Sequence, residues 1–442
     1  MRIKLSDHFS CKKMLLFTLP SIAMVVFTSI YSIVDGFFVS NFAGKTQFAA
    51  VNFVMPIIMI VGAIGAMFGS GGTALIAKTL GEKDSEKANR YFSMIVYLTI
   101  IIGIIFAVLG QLLLKPLLLL LGAEGEMLDY CITYGRIIIA FIPAYMLQYE
   151  FQTFFVLAEK SNLGLLTTIG AGVSNIVLDA VFVGILDFGL VGAATATVIG
   201  MIIGGVIPII YFARKNNSLL RLGKTKFQRK PLLRTALNGS SEFVSNISMS
   251  VVGILFNTQL MKFAGENGVA AYGTLMYVNM IYVGIFFGYS MGISPVISFN
   301  YGAQNMPELK NIKNKSFMLI GITAVIMTVA AVLLSSPLAT MFVGYDKELY
   351  DMTVHAFVIS AFSFLFMGIP MFISAFFTSL NNGIISAIVS FSRTMIFQTG
   401  CVLILPTLFG LNGIWFSMIA AELGAAVISI IFLITQKRKY NY

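Results

Sequence analysis

Twelve stretches of this chain are apolar for long enough to cross a lipid bilayer, and that pattern restricts the fold more than any motif does. The hydrocarbon core is about 30 Å thick, which an α-helix crosses in roughly 20 residues. Runs of that length begin near Met14, Phe48, Tyr91, Ile132, Leu163, Leu190, Ala236, Val269, Phe317, Thr353, Ile384 and Leu411. The predicted fold is an all-α polytopic membrane protein with twelve transmembrane helices. Composition agrees, since 58% of the 442 residues are apolar and 11% are charged, against roughly 25% charged in soluble domains. The first run follows Lys12 and Lys13 as a signal peptide would. It continues through Asp35 without a small-x-small cleavage pattern behind a short core, and is read as a retained helix.

Several function classes drop out early. Cys11, Cys131 and Cys401 stand far apart with no CxxC spacing, and His8 and His355 are the two histidines. A zinc cluster, a disulfide framework and a Ser-His-Asp triad are therefore not expected. The net charge of +10 lies in short segments between apolar runs rather than along one helical face, which points to membrane orientation and not to nucleic acid. Gly44-Lys45-Thr46 resembles the end of a phosphate-binding loop, yet the earlier glycine position is Val39 and no strand precedes it. No ATP engine, cofactor or enzymatic activity is expected, so energy has to come from an ion gradient or a partner.

The basic residues orient the spans. With the N-terminus placed inside, the inner segments carry 23 lysines and arginines, eight of them between Arg214 and Arg234. The outer segments carry five, Lys45, Lys115, Arg136, Lys262 and Lys347, while Arg393 falls within a span. This bias predicts that both termini are cytoplasmic in a bacterial-type inner membrane. The basic segment 214–234 also divides the chain into a six-span half, 1–213, and a second six-span half, 235–442. The halves match at a shift of 221 or 222: Ala43-Gly44 with Ala264-Gly265, Leu80-Gly81 with Tyr301-Gly302, Gly122 with Gly344, Phe155 with Phe377, and Gly189 and Gly192 with Gly410 and Gly413. Six spans return a chain to its starting side, so these are parallel repeats related by an axis along the membrane normal, with a substrate path expected between them.

Motifs narrow the class. Tyr31-Ser-Ile-Val-Asp35-Gly-Phe-Phe-Val-Ser-Asn-Phe-Ala-Gly44, Asn175-Ile-Val-Leu-Asp179, Gly189-Leu-Val-Gly-Ala-Ala-Thr-Ala-Thr197, and Pro295 with Asn300-Tyr-Gly-Ala303 occur in that order. Together they resemble the multidrug and toxic compound extrusion (MATE) family, in the MepA-like and DinF-like branch that has a carboxylate pair in its N-terminal half. The resemblance covers almost the whole chain and implies two six-helix bundles.

An acid at the centre of a span costs about 2.5 to 3.5 kcal/mol on insertion scales, so Asp35 and Asp179 call for a reason. Tyr31 and Asp35 are one helical turn apart, as are Asn175 and Asp179. If the first, fifth and sixth spans meet as the family fold implies, Asp35, Asn175, Asp179 and Thr197 form one oxygen-lined cavity. Such a pair is suited to holding one proton near neutral pH, and the same oxygens suit a desolvated Na+. Glu242 opens the seventh span in Ser240-Ser241-Glu242-Phe243, where capping the helix competes with substrate contact. Gln148, Glu150 and Gln152 in the fourth span are placed in the central cavity or its cytoplasmic mouth. Tyr31, Met249, Tyr282, Phe286 and Tyr289 are candidate faces for flat cations. Arg393 and Glu422 on the last two spans can pair with each other. The resulting expectation is a monomeric secondary exporter, embedded in lipid, that exchanges H+ or Na+ for small amphiphilic cations. The alternative is a lipid-linked intermediate flippase of the same superfamily, whose cavity tends to be rich in basic residues.

Overall fold

The computed structural model describes residues 3–440 and 442; Arg2, one of the inner basic residues, lies outside them. The described residues form fourteen helices and no strand: α1 (Cys11–Phe38), α2 (Lys45–Gly81), α3 (Ser85–Leu120), α4 (Gly125–Ala140), α5 (Ile142–Leu157), α6 (Ser161–Asp179), α7 (Gly189–Ala213), α8 (Arg229–Gly302), α9 (Met306–Val343), α10 (Lys347–Ala361), α11 (Phe364–Ser379), α12 (Gly383–Phe391), α13 (Thr399–Phe409) and α14 (Leu411–Tyr440). Short polar residues start several of them by accepting an otherwise orphaned amide. Ser10 caps α1 from Lys13, Asp84 caps α3 from Lys87, and Asn305 caps α9 from Glu308.

These helices make twelve spans. α4 and α5 bend by 56° at Phe141, just before Pro143, and α10 and α11 bend by 50°; each pair crosses once. α12 passes through a π-helical stretch, Ser392–Gln398, into α13 as one crossing. α8 has 74 residues, which as a straight rod would be about 110 Å long, more than three times the hydrocarbon thickness. It is broken at Gly265, whose φ of 59° and ψ of −148° belong to a region that an L side chain resists. The chain doubles back there, so that Phe256 and Tyr272 stack with ring centroids 5.1 Å apart. Spans seven and eight are thus joined by a tight turn at Gly265, beside Lys262, Glu266 and Asn267, with no separate loop. α8 also begins earlier than the hydropathy pattern suggested, taking the last residues of the basic linker into its first turns.

α1 to α7 form one six-span bundle and α8 to α14 the other. Their seam lies at the half of the membrane that carries the linker, and it is made by backbone meeting backbone. A Cβ added to Gly71 would overlap the Thr235 carbonyl, and one added to Gly239 the Met67 carbonyl; Gly81 faces Phe299 in the same way and Gly302 faces Lys78. Lys78 to Phe299 and Gly81 to Gly302 each span 221 residues, so the repeat read from the sequence reappears as a contact that the pseudo-axis maps onto itself. Close approach of this kind is how helices associate where lipid removes the hydrophobic drive. The segment before α1 adds polar contacts across the seam: Phe9 N–H donates to Glu308 Oε1 at 2.8 Å, and His8 Nδ1 lies 2.6 Å from Glu308 Oε2.

Candidate functional site

Two carboxylates meet inside the N-terminal bundle. α1 carries Tyr31 and Asp35 one turn apart and then widens into a π-helical stretch, Val39–Ala43; α6 carries Asn175 and Asp179 and widens immediately after, at Ala180–Ile185. π-helical turns are rare and concentrate at functional positions. α7 brings Thr197, whose hydroxyl accepts from Asn175 Nδ2 at 3.5 Å. Asp35 and Asp179 are close electrostatic neighbours in this site. Asp179 is fully buried, and Asp35 and Asn175 nearly so. One Asp35 oxygen, both Asp179 oxygens and the Asn175 carbonyl oxygen lack a donor, and among the described residues no lysine or arginine pairs with either acid. The site is therefore rich in acceptors and poor in donors. Two ionised carboxylates at that separation repel, so the arrangement favours something positive between them, either a proton or a small cation.

Asp35 opens onto a cavity of about 630 Å³ lined also by Tyr31, Tyr134, Tyr145, Gln148, Tyr149, Gln152, Asn175 and Thr197, with Asp179 buried behind it. Gln148 donates to the Tyr31 hydroxyl at 3.5 Å, and Tyr145 and Tyr149 pack edge to face with hydroxyls 3.2 Å apart. A second cavity of about 660 Å³ lies between the bundles. Its wall combines Glu242, Phe287, Met291 and Met371 with the hydroxyls of Ser70, Thr73, Ser290, Ser294 and Thr378. Tyr149 and Gln152 line both cavities, and they are the partition between the acid site and the space between the bundles. Glu242 does not cap a helix, because α8 starts at Arg229 and Glu242 is more than three turns inside it.

Five of the residues singled out as substrate contacts fall elsewhere. Glu150 is turned away from the cavity and fully buried, facing Thr99 of α3. It lies two residues from both Gln148 and Gln152, hence on the opposite side of α5. Phe286 and Tyr289 sit in the core of the C-terminal bundle, with the Tyr289 hydroxyl donating to Ser316 at 2.9 Å. Tyr282 packs edge to face on Phe364, and Met249 is exposed and lines neither cavity. The face of α8 that does meet the cavity carries Phe287, Ser290, Met291 and Ser294, the complementary stripe of the same helix. Tyr134, Tyr145 and Tyr149 were missed. Their signal was present in part, for Tyr145, Gln148, Tyr149 and Gln152 follow the i, i+3, i+4, i+7 spacing of one helical face.

On the last two spans of the C-terminal bundle, two charges neutralise each other. Arg393, in the π-helical stretch after α12, donates through Nε and Nη2 to Glu422 of α14 at 2.8 to 3.0 Å, and Gln398 adds a contact at 3.3 Å. The bundles thus share a scaffold but differ in chemistry, with free acceptors in one and a closed ion pair in the other.

The MatE family model matches residues 20–181 and again 243–402, more than half of the chain. The chain belongs to the MatE family. The two matched segments start at a separation close to the internal repeat, as a duplicated six-span unit requires. MatE proteins are transporters, and this chain is a multi-pass membrane transporter and not an enzyme. Among curated relatives it is similar to the multidrug export protein MepA of Staphylococcus haemolyticus, with 27% identity over 433 residues covering 97% of this chain and 94% of the relative. Among solved structures it resembles a MATE protein in complex with MaL6, with a TM-score of 0.93 at 22% identity and 98% of each chain covered. It resembles equally the outward-facing conformation of a multidrug resistance MATE family transporter of the MOP superfamily, with a TM-score of 0.93 at 22% identity, covering 98% of this chain and 97% of that one.

Proposed function

We propose that this MatE protein is a secondary active multidrug exporter, which exchanges inward H+ or Na+ for outward amphiphilic organic cations as its two bundles alternate in access. The observation that carries the reading is the donor-poor acid pair in which Asp35 lines a tyrosine-walled cavity and Asp179 lies buried behind it. An organic cation there is attracted by carboxylate charge and by aromatic faces. A proton or Na+ taken by the same oxygens removes that attraction. The partition by Tyr149 and Gln152 links this competition to the space between the bundles, and the relatives named as multidrug export proteins support the substrate class. The protein acts as a monomer in a bacterial-type cytoplasmic membrane with both termini inside. Arg393 bears on the flippase alternative, because its guanidinium is already engaged by Glu422 and is not free to hold a lipid-linked phosphate.

The test is uptake of a fluorescent cationic dye into inverted vesicles with proton and sodium gradients imposed separately. Accumulation driven by one gradient, and lost in Asp35→Asn protein that still inserts, is the expected result. Dye movement that ignores both gradients, or that Asp35→Asn leaves intact, overturns the reading.

A further inference from the structure

The linker between the bundles is not a free loop. It leaves α7 at Arg214, turns on Asn216, whose side chain accepts from Ser218 N–H at 3.0 Å, and buries Leu220. It then runs extended along the first turns of α3. The Arg221 amide donates to Asn89 Oδ1 at 2.7 Å, the Gly223 amide to Ser93 Oγ at 3.0 Å, and the Thr225 hydroxyl to the Arg90 carbonyl at 2.9 Å. Tyr97 closes the row by donating its hydroxyl to the Gly223 carbonyl at 3.2 Å. Alternate residues are tied down in this way and Leu222 is buried between them, so the backbone is fixed in position while the basic side chains stay exposed.

What the strap displays is a row of cations around one aromatic ring. Arg221, Lys224, Lys226, Arg229 and Lys230 are exposed, Phe227 is 70% exposed, and 214–234 contains no acid. Depth is set by α3. One turn beyond Tyr97, the same helix begins the exposed apolar stripe Ile101, Ile104, Ile105 and Val108, which meets acyl chains in a spanning helix. The strap therefore rests at the level of the lipid headgroups, and the complement to its charge at that depth is lipid phosphate.

We propose that the linker is a docking strap for anionic phospholipid, in which the five basic side chains hold headgroup phosphates of the adjoining leaflet while Phe227 enters the acyl boundary. Bias of basic residues toward one side of a membrane needs only their presence, in any conformation. A strap hydrogen-bonded to a spanning helix at headgroup depth places them for contact. A basic side chain near an anionic surface contributes about fivefold in affinity, and the effect fades within a Debye length.

The full chain carrying Phe227→Trp is reconstituted in vesicles containing brominated phosphatidylglycerol or brominated phosphatidylcholine at equal mole fraction. The single native tryptophan, Trp415, is fully buried, so its signal is subtracted using the unmodified chain. The expected result is quenching at position 227 with a preference of at least about fivefold for the anionic lipid. The preference should vanish when Arg221, Lys224, Lys226, Arg229 and Lys230 are all changed to Gln. It should also vanish at 1 M salt, which tests the charge without altering the chain. No quenching places the strap in water and overturns the proposal. Equal quenching by both lipids, or a preference that survives high salt, overturns it as well.

Discussion

Raising the coupling ion is expected to weaken a bound organic cation by an amount that the cavity sets. Asp35 lines the cavity, so a cation seated there at about 5 Å from its charge gains about 3 kcal/mol at an effective dielectric of about 20. That is roughly 150-fold in affinity, and water entering the cavity reduces it, which leaves a window of roughly 5- to 150-fold. The sign follows from charge. At high pH and low sodium the pair is fully ionised and the cation binds most tightly; as protons or Na+ are added, the attraction falls. By linkage the substrate weakens ion binding by the same factor. The assay is an equilibrium titration of a fluorescent cationic dye, across pH at fixed sodium and then across sodium at fixed pH. Asp179→Asn is expected to flatten the dependence more than it reduces binding at high pH. A dye affinity that ignores both ions refutes the reasoning, since the acids would then have only a structural role.

Three more outcomes follow from other parts of the molecule. Glu422→Gln leaves the Arg393 guanidinium buried without its charge partner and is expected to cost about 3 to 5 kcal/mol, whereas Arg393→Met combined with Glu422→Leu is close to neutral; denaturation midpoints in detergent that show equal losses would contradict this. Gly81→Leu places a side chain against the Phe299 carbonyl, disfavouring the closed seam by about 1 to 3 kcal/mol. An impermeant maleimide applied from the linker side should then modify a cysteine placed at Ser70 severalfold faster, and an unchanged rate would remove the seam's role in closure. A topology reporter fused after Lys230 is expected in the cytoplasm and one inserted between Gly122 and Met127 outside, so finding both on one side would break the twelve-span arrangement.

Hydropathy made all twelve spans legible, because a bilayer demands the same run length of each helix. It could not show that spans seven and eight are joined by a tight turn at Gly265, since Lys262, Glu266 and Asn267 around it suit an ordinary loop equally well. The four oxygen-bearing residues of the acid site were found by one-turn spacing together with family resemblance. The tyrosines beside them were not, and the reason is physical. Lipid, protein core and cavity all accept aromatic side chains, so an aromatic stripe marks a helix face without saying what it faces. The same ambiguity misplaced Phe286 and Tyr289, which share α8 with Phe287, Ser290, Met291 and Ser294 but look the other way. Glu150 is different, for its offset from Gln148 and Gln152 already put it on the far side of α5. The π-helical stretches beside Asp35, Asp179 and Arg393 have no composition of their own and came only with the coordinates.

The self-mapped contact at Gly81 and Gly302 has the form of an isologous interface, the kind two identical subunits make across a two-fold axis. Each half supplies both the glycine and the carbonyl that the other half's glycine must clear. A bulkier residue at either position would strike backbone supplied by the opposite half, so neither half can change there on its own. No such rule binds positions away from the axis. It is there that the halves have parted in chemistry, one leaving two acids free and the other closing an acid onto an arginine.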